Sequence, residues 1–206
     1  MDGDPSVASL PQDDTPAPPQ DDTQGRFLTM TRVDTFAPDS LTTQTRFTLP
    51  TTTEILISPD QFLEHWQGHR TLTRRVINAF PDDKLFTHSI GGMRPFSSFA
   101  MEFLGMGVPT LHGVVTGEWK SFEMPKMTTK ADILSAWDAA TTEIDSLWAK
   151  IPPGRFQEVD TAFGQWKMPI HALLHYVVDN EIHHRAQGYV YLRDLGIEPP
   201  PFYERG

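Results

Sequence analysis

One short run of polar residues near the C-terminus has the residue types and the spacing of a metal site. Asn180 and His184 are four residues apart in a helical segment over 171–196, and Glu181 follows Asn180 directly. Residues at i and i+4 lie on the same face of a helix, so Asn180 and His184 can hold the same ion. The run matches a His-Glu-x-x-His metal motif whose first ligand is Asn. The run therefore predicts a binding site for a divalent metal ion.

The same helix allows a second interpretation without a metal. Glu181 and Arg185 are also four residues apart and could form an ion pair, with His184 as a hydrogen-bonded core histidine. Either way, polar groups fall on or beside an apolar face, where an unpaired charge costs several kcal/mol. That face comprises Leu173, Leu174, Val177, Val178, Gly188, Tyr191, Leu192 and Leu195. Both interpretations remain open at this point.

The other histidines are weaker candidates. His65 and His69 lie one turn apart on a predicted helix, and His69 falls within its apolar face, which is more typical of a core histidine than of a ligand. His183 projects about 100° away from His184, and His175 about 180° away, so neither shares a site with His184 from the same helix.

The composition excludes several classes of protein. The chain has 206 residues and no cysteine, so disulfides, thiolate zinc sites and a cysteine nucleophile are excluded. A formal net charge of −10 argues against a nucleic-acid partner, because phosphate contacts need clustered Lys and Arg. The N-terminus lacks the regions of a signal peptide, and no run approaches the ~18 apolar residues of a membrane helix. We expect a soluble cytoplasmic protein that does not bind a membrane.

The N-terminal quarter differs in composition from the rest. Residues 1–26 are rich in Asp and Pro and cannot bury enough apolar surface to offset the entropy of ordering, so they are predicted to be a disordered acidic tail. Residues 27–57 are rich in Thr and predict an irregular extension. Residues 58–206 are predicted to form one helical domain.

Two helices are predicted in the first half of that domain. The first begins at Ser58-Pro59-Asp60, a strong N-terminal signal, and ends at about residue 80. The second begins at Phe96, and Glu102 lies at the edge of its apolar face, where a surface glutamate is the ordinary interpretation. It is predicted to end near residue 106, where Gly105, Gly107 and Pro109 break the helix or kink it, and in the second case residues 111–119 would continue it.

Two further helices follow in the second half. One begins near Thr129, has apolar residues at helical spacing to Ile151, and ends before Pro152. Residues 156–166 connect it to the last helix and predict one short strand pair. The last helix has Pro169 at its first position and Gly196 after its end. Four amphipathic helices predict an all-α four-helix bundle, a scaffold that builds metal sites between facing helices.

Three segments of the sequence resemble the DinB/YfiT-like metalloenzyme family. They are the run from Asn180 to Gln187, the run from Tyr189 to Pro200 that follows it, and Gly92-Met93-Arg94-Pro95-Phe96 before the second helix. The resemblance covers about Ser58 to the C-terminus. It implies a four-helix bundle, commonly a homodimer, with a divalent metal held by three histidines. In this chain the three ligand positions are Glu102, Asn180 and His184.

The resemblance also implies a function. Nickel or zinc would be the usual metal, and the Asn and Glu ligands also allow manganese. The expected activity is a metal-dependent transferase or hydrolase acting on a small molecule, with transfer to a low-molecular-weight thiol as the specific form. Glu181 would be the base or would orient a ligand, and Arg185 would fix Glu181 or an anionic substrate. The alternative is a dimeric bundle without metal or catalysis, binding a ligand or associated with stress.

Overall fold

The computed structural model describes residues 56–120 and 125–205, and these are mostly helical. Its helices are α1 (Pro59–Ala79), the single-turn α2 (Lys84–Thr87), α3 (Phe96–Thr116), α4 (Lys130–Trp148) and α5 (Ile170–Asp194). The four long helices confirm the predicted all-α bundle, whereas α2 was not expected. The predicted acidic tail and all but the last two residues of the predicted extension lie outside the described residues.

Side-chain caps begin two of the long helices. The Ser58 hydroxyl accepts a hydrogen bond from the Gln61 amide at 3.2 Å, and Gln61 Oε1 accepts one from the Ser58 amide at 2.9 Å. Thr129 and Asp132 make the same reciprocal pair at the start of α4. Each pair satisfies two backbone N–H groups in the first turn, which have no partner within the helix.

Helix α3 runs without interruption through Gly105, Gly107 and Pro109, so the predicted break near residue 106 is wrong. A proline inside a helix costs about 3 kcal/mol. Here Pro109 is buried, and most of the apolar side chains of α3 are buried against α4 and α5, which offsets that cost. The helix ends instead at Gly117, whose φ of 75° is left-handed and therefore suits glycine.

An antiparallel hairpin joins α4 to α5 and confirms the predicted strand pair. Strand β1 (Val159–Ala162) pairs with β2 (Trp166–Pro169), with Val159 opposite Pro169. Because β2 leads directly into α5, Pro169 has an extended conformation and is the N-cap of α5. Its predicted place inside the helix is therefore wrong by one residue.

The four long helices form a ring in which α1 and α3 each pack against both α4 and α5. Arg74 pairs with Asp138, and Gln67 pairs with Asp145. Gln67 lies two turns before Arg74 on α1, whereas Asp145 lies two turns after Asp138 on α4, so these helices are antiparallel. Contacts between the other neighbours show that α3 and α5 are antiparallel and that α5 runs parallel to α1. The chain therefore does not follow a simple up-and-down order.

Several large aromatic side chains are buried in the centre of the bundle. Trp66, Trp137, Phe80, Phe96 and Tyr191 are all nearly or completely buried.

Among the described helices, none is long and apolar enough to cross a lipid bilayer.

Candidate metal centre

Glu102 on α3 and both Asn180 and His184 on α5 lie together where these two helices meet. Asn180 Nδ2 donates a hydrogen bond to Glu102 Oε1 at 3.1 Å, and His184 Nε2 lies 3.6 Å from the same oxygen. The side chains of Glu102 and His184 are only 10% and 16% exposed. We call these three residues the Glu102 cluster. They are the positions implied by the family resemblance.

The imidazole of His184 is held in one orientation from two sides. Its ring stacks on Phe99 with a centroid distance of 4.5 Å, and its Nδ1 lies 3.1 Å from Gln187 Oε1. In this orientation of the Gln187 amide, Oε1 accepts a hydrogen bond from Nδ1–H, which leaves the lone pair of Nε2 facing Glu102. Burial lowers the pKa of His184, which favours this neutral form.

The amide of Asn180 is only half satisfied. Its Nδ2 donates to Glu102, but its Oδ1 is buried and has no hydrogen-bond partner among the described residues. A buried polar atom without a partner costs about 1–3 kcal/mol. Such an atom beside a carboxylate and an imidazole is a candidate ligand oxygen.

Arg94 closes the outer side of the cluster. Its Nη2 donates to Glu102 Oε2 at 2.7 Å, and its guanidinium lies 4.6 Å from the centroid of the Phe99 ring. The Arg94 backbone is fixed as well, because the Tyr191 hydroxyl donates to its carbonyl oxygen at 3.0 Å. The Arg94 side chain is nevertheless 43% exposed, so this residue lies between the cluster and solvent.

The donor set of the cluster fits a divalent cation. The described residues contain no group of three or more His, Cys, Asp or Glu side chains that could hold an ion, and the third candidate ligand in the cluster is the amide oxygen of Asn180. Imidazole nitrogen, carboxylate and amide oxygen are all ordinary ligands of first-row divalent metals. A cation between Glu102 and His184 would also separate two acceptors that now face each other.

Glu181 and Arg185 lie in a different environment from the Glu102 cluster. Their side-chain hydrogen bonds within the described residues all go to α1: Thr73 Oγ1 donates to Glu181 Oε1 at 2.5 Å, and Arg185 donates to Thr73 and to His69. Glu181 is 2% exposed, and this burial raises its pKa. The predicted pair of Glu181 and Arg185 is present, with the nearest atoms 3.9 Å apart.

Two features of the site were missing from the sequence interpretation. Gln187, one turn after His184, orients the imidazole, and Arg94 pairs with the carboxylate. The three-residue spacing of His184 and Gln187 is a signal that the sequence does contain. Nothing in the local sequence connects Arg94 to Glu102, because Arg94 precedes the helix. His69, by contrast, is a buried core histidine, as predicted.

A separate cavity of about 560 Å³ lies between α3 and α4. Its walls include Leu104, Val108 and Ala140, with His112 and Glu143 among its polar residues. His112 Nε2 lies 2.9 Å from Glu143 Oε1. No member of the Glu102 cluster lines this cavity, because the cluster faces α5.

Comparison with known proteins identifies relatives of this helical domain. The model of the DinB family matches residues 49–206. The uncharacterized protein YrdA of Bacillus subtilis (strain 168) is 23% identical over 146 residues, which are 70% of this chain and 87% of YrdA.

Two solved structures have a similar fold. A DinB-like protein from Bacillus subtilis has a TM-score of 0.59 and 19% identity, over 70% of this chain and 98% of the other. A DinB-like protein from Bacillus cereus ATCC 10987 has a TM-score of 0.57 and 20% identity, over 70% and 97%. At this identity the two structures establish the fold alone.

Proposed function

Because the chain belongs to the DinB family, we propose that the Glu102 cluster binds a divalent metal ion and that the protein is a metal-dependent transferase or hydrolase acting on a small molecule. One observation carries the proposal. His184 Nε2 and Glu102 Oε1, both acceptors in the tautomer that Gln187 favours, lie 3.6 Å apart, and the nearby donor Asn180 Nδ2 bonds to Glu102.

A bound cation would make this contact favourable. Zinc binds imidazole nitrogen and carboxylate oxygen at about 2.0–2.2 Å, so two ligands of one tetrahedral ion lie about 3.3–3.6 Å apart. Rotation of the Asn180 amide would then direct Oδ1 to the ion and remove the unpartnered buried oxygen. The nitrogen and oxygen of an Asn amide exchange places easily, since their positions follow the hydrogen-bond network.

The ligand set limits the choice of metal and the chemistry. Nickel or zinc suits the imidazole, while a carboxylate and an amide oxygen also suit manganese. Three protein ligands leave room for water or substrate, and a bound ion would act as a Lewis acid that lowers the pKa of a coordinated water or thiol. Thiol-dependent transfer is the specific reaction that the family resemblance favours.

The protein's own residues have distinct roles in this proposal. Gln187 fixes the tautomer of His184, and Arg94 holds the second oxygen of Glu102. Glu181 and Arg185, which the family resemblance implies as the catalytic pair, are proposed here as positioning residues. Their bonds to α1 suit a positioning role best, because they fix the rotation of α5 and hence the direction of Asn180 and His184.

We also propose a homodimer in the cytoplasm, as the family resemblance implies. Tyr176 and Val190 on α5 are 49% and 54% exposed and are 14 residues apart, which puts them on nearly the same face of the helix. They are the surface that a second copy of the chain would cover. Sedimentation equilibrium of the wild type and of Tyr176→Glu tests this part of the proposal, and a monomeric wild type would contradict it.

The decisive experiment is the metal content of the purified, tag-free protein, measured by mass spectrometry. We expect about one nickel, zinc or manganese ion per chain, lost in Glu102→Ala and in His184→Ala. His183→Ala is the matched control, because His183 is an exposed neighbour on the same helix and should keep the ion. Asn180→His restores a second imidazole and should raise the affinity in a calorimetric titration.

One observation favours the alternative, a bundle that binds a ligand without metal or catalysis. Arg94 already neutralises Glu102 through a 2.7 Å ion pair. If the wild type binds no metal after incubation with nickel, zinc and manganese, and both alanine variants only lose thermal stability, the metalloenzyme proposal is wrong. The Glu102 cluster would then be a structural hydrogen-bonded network.

A further inference from the structure

A second unusual contact lies on the other side of the bundle, around the buried His69 of α1. Arg185 Nη2 lies 2.9 Å from His69 Nδ1, and Arg205 Nη1 lies 3.2 Å from His69 Nε2. His69 is only 4% exposed. Each nitrogen of one imidazole ring therefore faces a guanidinium.

These two contacts cannot both be hydrogen bonds. A guanidinium only donates, and a neutral imidazole has one N–H group and one lone pair. In either tautomer, one of the two arginines therefore faces an N–H group of the ring. Protonation of His69 would make both contacts unfavourable, and burial with the two arginines in fact lowers the pKa of His69 to about 3.

The surroundings decide which contact is the unfavourable one. Arg185 is 5% exposed and fixed by further bonds to the His69 carbonyl and the Thr73 hydroxyl, so its position cannot relax. The lone pair of His69 must then be on Nδ1, and the hydrogen on Nε2 points toward Arg205. Arg205 is partly exposed, so this pair of facing donors lies at the edge of the core.

The charged groups around His69 also favour the binding of an anion. Arg70 and Arg185 are buried in this region beside the carboxylate of Glu181, Arg205 adds a positive charge at its edge, and Asp138 and Asp145 on α4 act on Arg70 from the other side. Glu204 lies nearby but pairs with Arg75 at 3.4 Å. Asp179 is close enough to raise the pKa of the adjacent His65, yet it is itself exposed. At His69 itself, the guanidiniums of Arg185 and Arg205 therefore meet one buried carboxylate, and an anion would reduce the remaining positive charge.

We propose that a small oxyanion, a phosphate or a carboxylate group, binds between His69 Nε2–H and the guanidinium of Arg205. Two donors 3.2 Å apart can both direct their hydrogens to one oxygen about 2.9 Å from each. The site is independent of the Glu102 cluster and of the metal proposed there.

Binding would also connect two parts of the fold. The segment after α5 lies along α1, because Arg75 donates to the Glu204 carbonyl and Gly68 lies directly beside Arg205. A side chain at Gly68 would come within 3.3 Å of the Arg205 Cβ atom. An anion held by His69 and Arg205 would therefore fix this C-terminal segment to α1.

The first test is the tautomer of His69, measured from the ¹⁵N chemical shifts of its ring in the full-length protein. We expect a neutral ring with the hydrogen on Nε2. A hydrogen on Nδ1 would place the unfavourable contact at Arg185, in the core, and would overturn the proposal.

The second test is a thermal titration with inorganic phosphate or with acetate, at constant ionic strength made up with chloride. At about ten times its Kd, the preferred anion should raise the Tm of the wild type by about 3–6 °C. Arg205→Gln should lose this saturable rise, whereas Arg193→Gln, an exposed arginine on α5, should keep it.

The comparison of variants removes the general effect of the salts. Phosphate stabilises most proteins by exclusion from their surface, and this contribution is the same in all three proteins. A response to phosphate but not to acetate identifies a phosphate site, and the reverse identifies a carboxylate site. Equal responses of the wild type and Arg205→Gln to both anions would overturn the proposal.

Discussion

Gly188 on α5 lies directly against the ring of Phe96 on α3, at the place where the two helices that carry the Glu102 cluster come closest. A Cβ atom at position 188 would be 2.8 Å from Phe96 Cδ2 and closer still to Cε2. Phe96 is completely buried and stacks on Phe80 at 5.0 Å, so its ring has no free space to move into. The spacing of α3 and α5 therefore depends on this glycine.

We expect Gly188→Ala to destabilise the protein by about 1–3 kcal/mol, because an extra methyl group in a packed core forces the helices apart. The same displacement would separate Glu102 from His184 and weaken metal binding. Urea unfolding and calorimetric metal titration measure the two effects.

Gly107→Ala is a matched control for this substitution. Gly107 is also a buried helical glycine, but its added Cβ would lie 3.6 Å or more from its neighbours, which is ordinary contact. It should therefore stabilise the protein by about 0.4–1 kcal/mol through the unfolded state. Equal effects of the two substitutions would show that Phe96 does not limit the helix spacing.

A second prediction concerns Arg94 and the affinity of the proposed metal site. In the proposed site, the guanidinium of Arg94 would share the Glu102 carboxylate with the metal ion and would repel the ion. At about 6 Å and a dielectric constant near that of water, this repulsion of a divalent ion is about 1.4 kcal/mol. Arg94→Gln should therefore bind zinc about tenfold more tightly than the wild type, as measured by isothermal titration.

Arg193→Gln is the control for the change in net charge, since Arg193 is an exposed arginine on α5. Its zinc affinity should equal that of the wild type. Weaker binding by Arg94→Gln would mean that Arg94 acts mainly by orienting Glu102, contrary to the prediction.

The fold follows from the sequence where the pattern is long and periodic. The four long helices, the Ser58 cap and the hairpin are all confirmed. Helix α2 has four residues, too few to show a helical period, and it was missed. The break predicted in α3 is wrong because local propensity at Gly107 and Pro109 is outweighed by burial, which depends on neighbouring helices that the local sequence does not reveal.

The site was harder to predict than the fold. Asn180 and Glu181 are adjacent in sequence, yet one faces α3 and the other α1. Both directions lie within the broad apolar sector of α5, so helical periodicity alone could not separate them. The family resemblance supplied Glu102, but the pairing of Arg94 with it depends on how the turn before α3 folds back.

A third prediction is the pH dependence that His69 gives to stability. Its pKa is lowered to about 3 in the folded protein, by burial first and then by Arg185 and Arg205, from about 6.5 when unfolded. The unfolded chain therefore binds more protons between these values, and the contribution of His69 to stability, complete above pH 6.5, is lost as pH falls toward 3. The slope is at most about 1.4 kcal/mol per pH unit.

Urea unfolding between pH 4 and 7 in chloride buffer measures this slope. His69→Gln should be less stable near pH 7 and should show a shallower dependence on pH, so that the difference in stability between the two proteins shrinks as pH falls. The raised pKa of Glu181 acts in the opposite direction, since a protonated carboxyl favours the folded state as pH falls. It is present in both proteins, so the difference in slope isolates His69. Parallel pH profiles would contradict the prediction.

The last prediction separates the two roles considered for Glu181. If Glu181 acts by positioning α5, Glu181→Gln should lower the free energy of unfolding by about 3 kcal/mol, because it leaves Arg70 and Arg185 without their buried carboxylate. Zinc affinity should fall by a smaller factor than in a ligand variant, since the bonds of Glu181 to α1 direct Asn180 and His184 without touching the ion. Glu102→Gln should give the reverse result, with a large loss of affinity and a small change in stability, because Glu102 lies at the edge of the core beside the exposed Arg94. Glu181→Gln could instead abolish turnover of a thiol or ester substrate and leave stability and zinc affinity intact. That result would show that Glu181 is the catalytic base, and its bond to Thr73 would then have to open during the reaction.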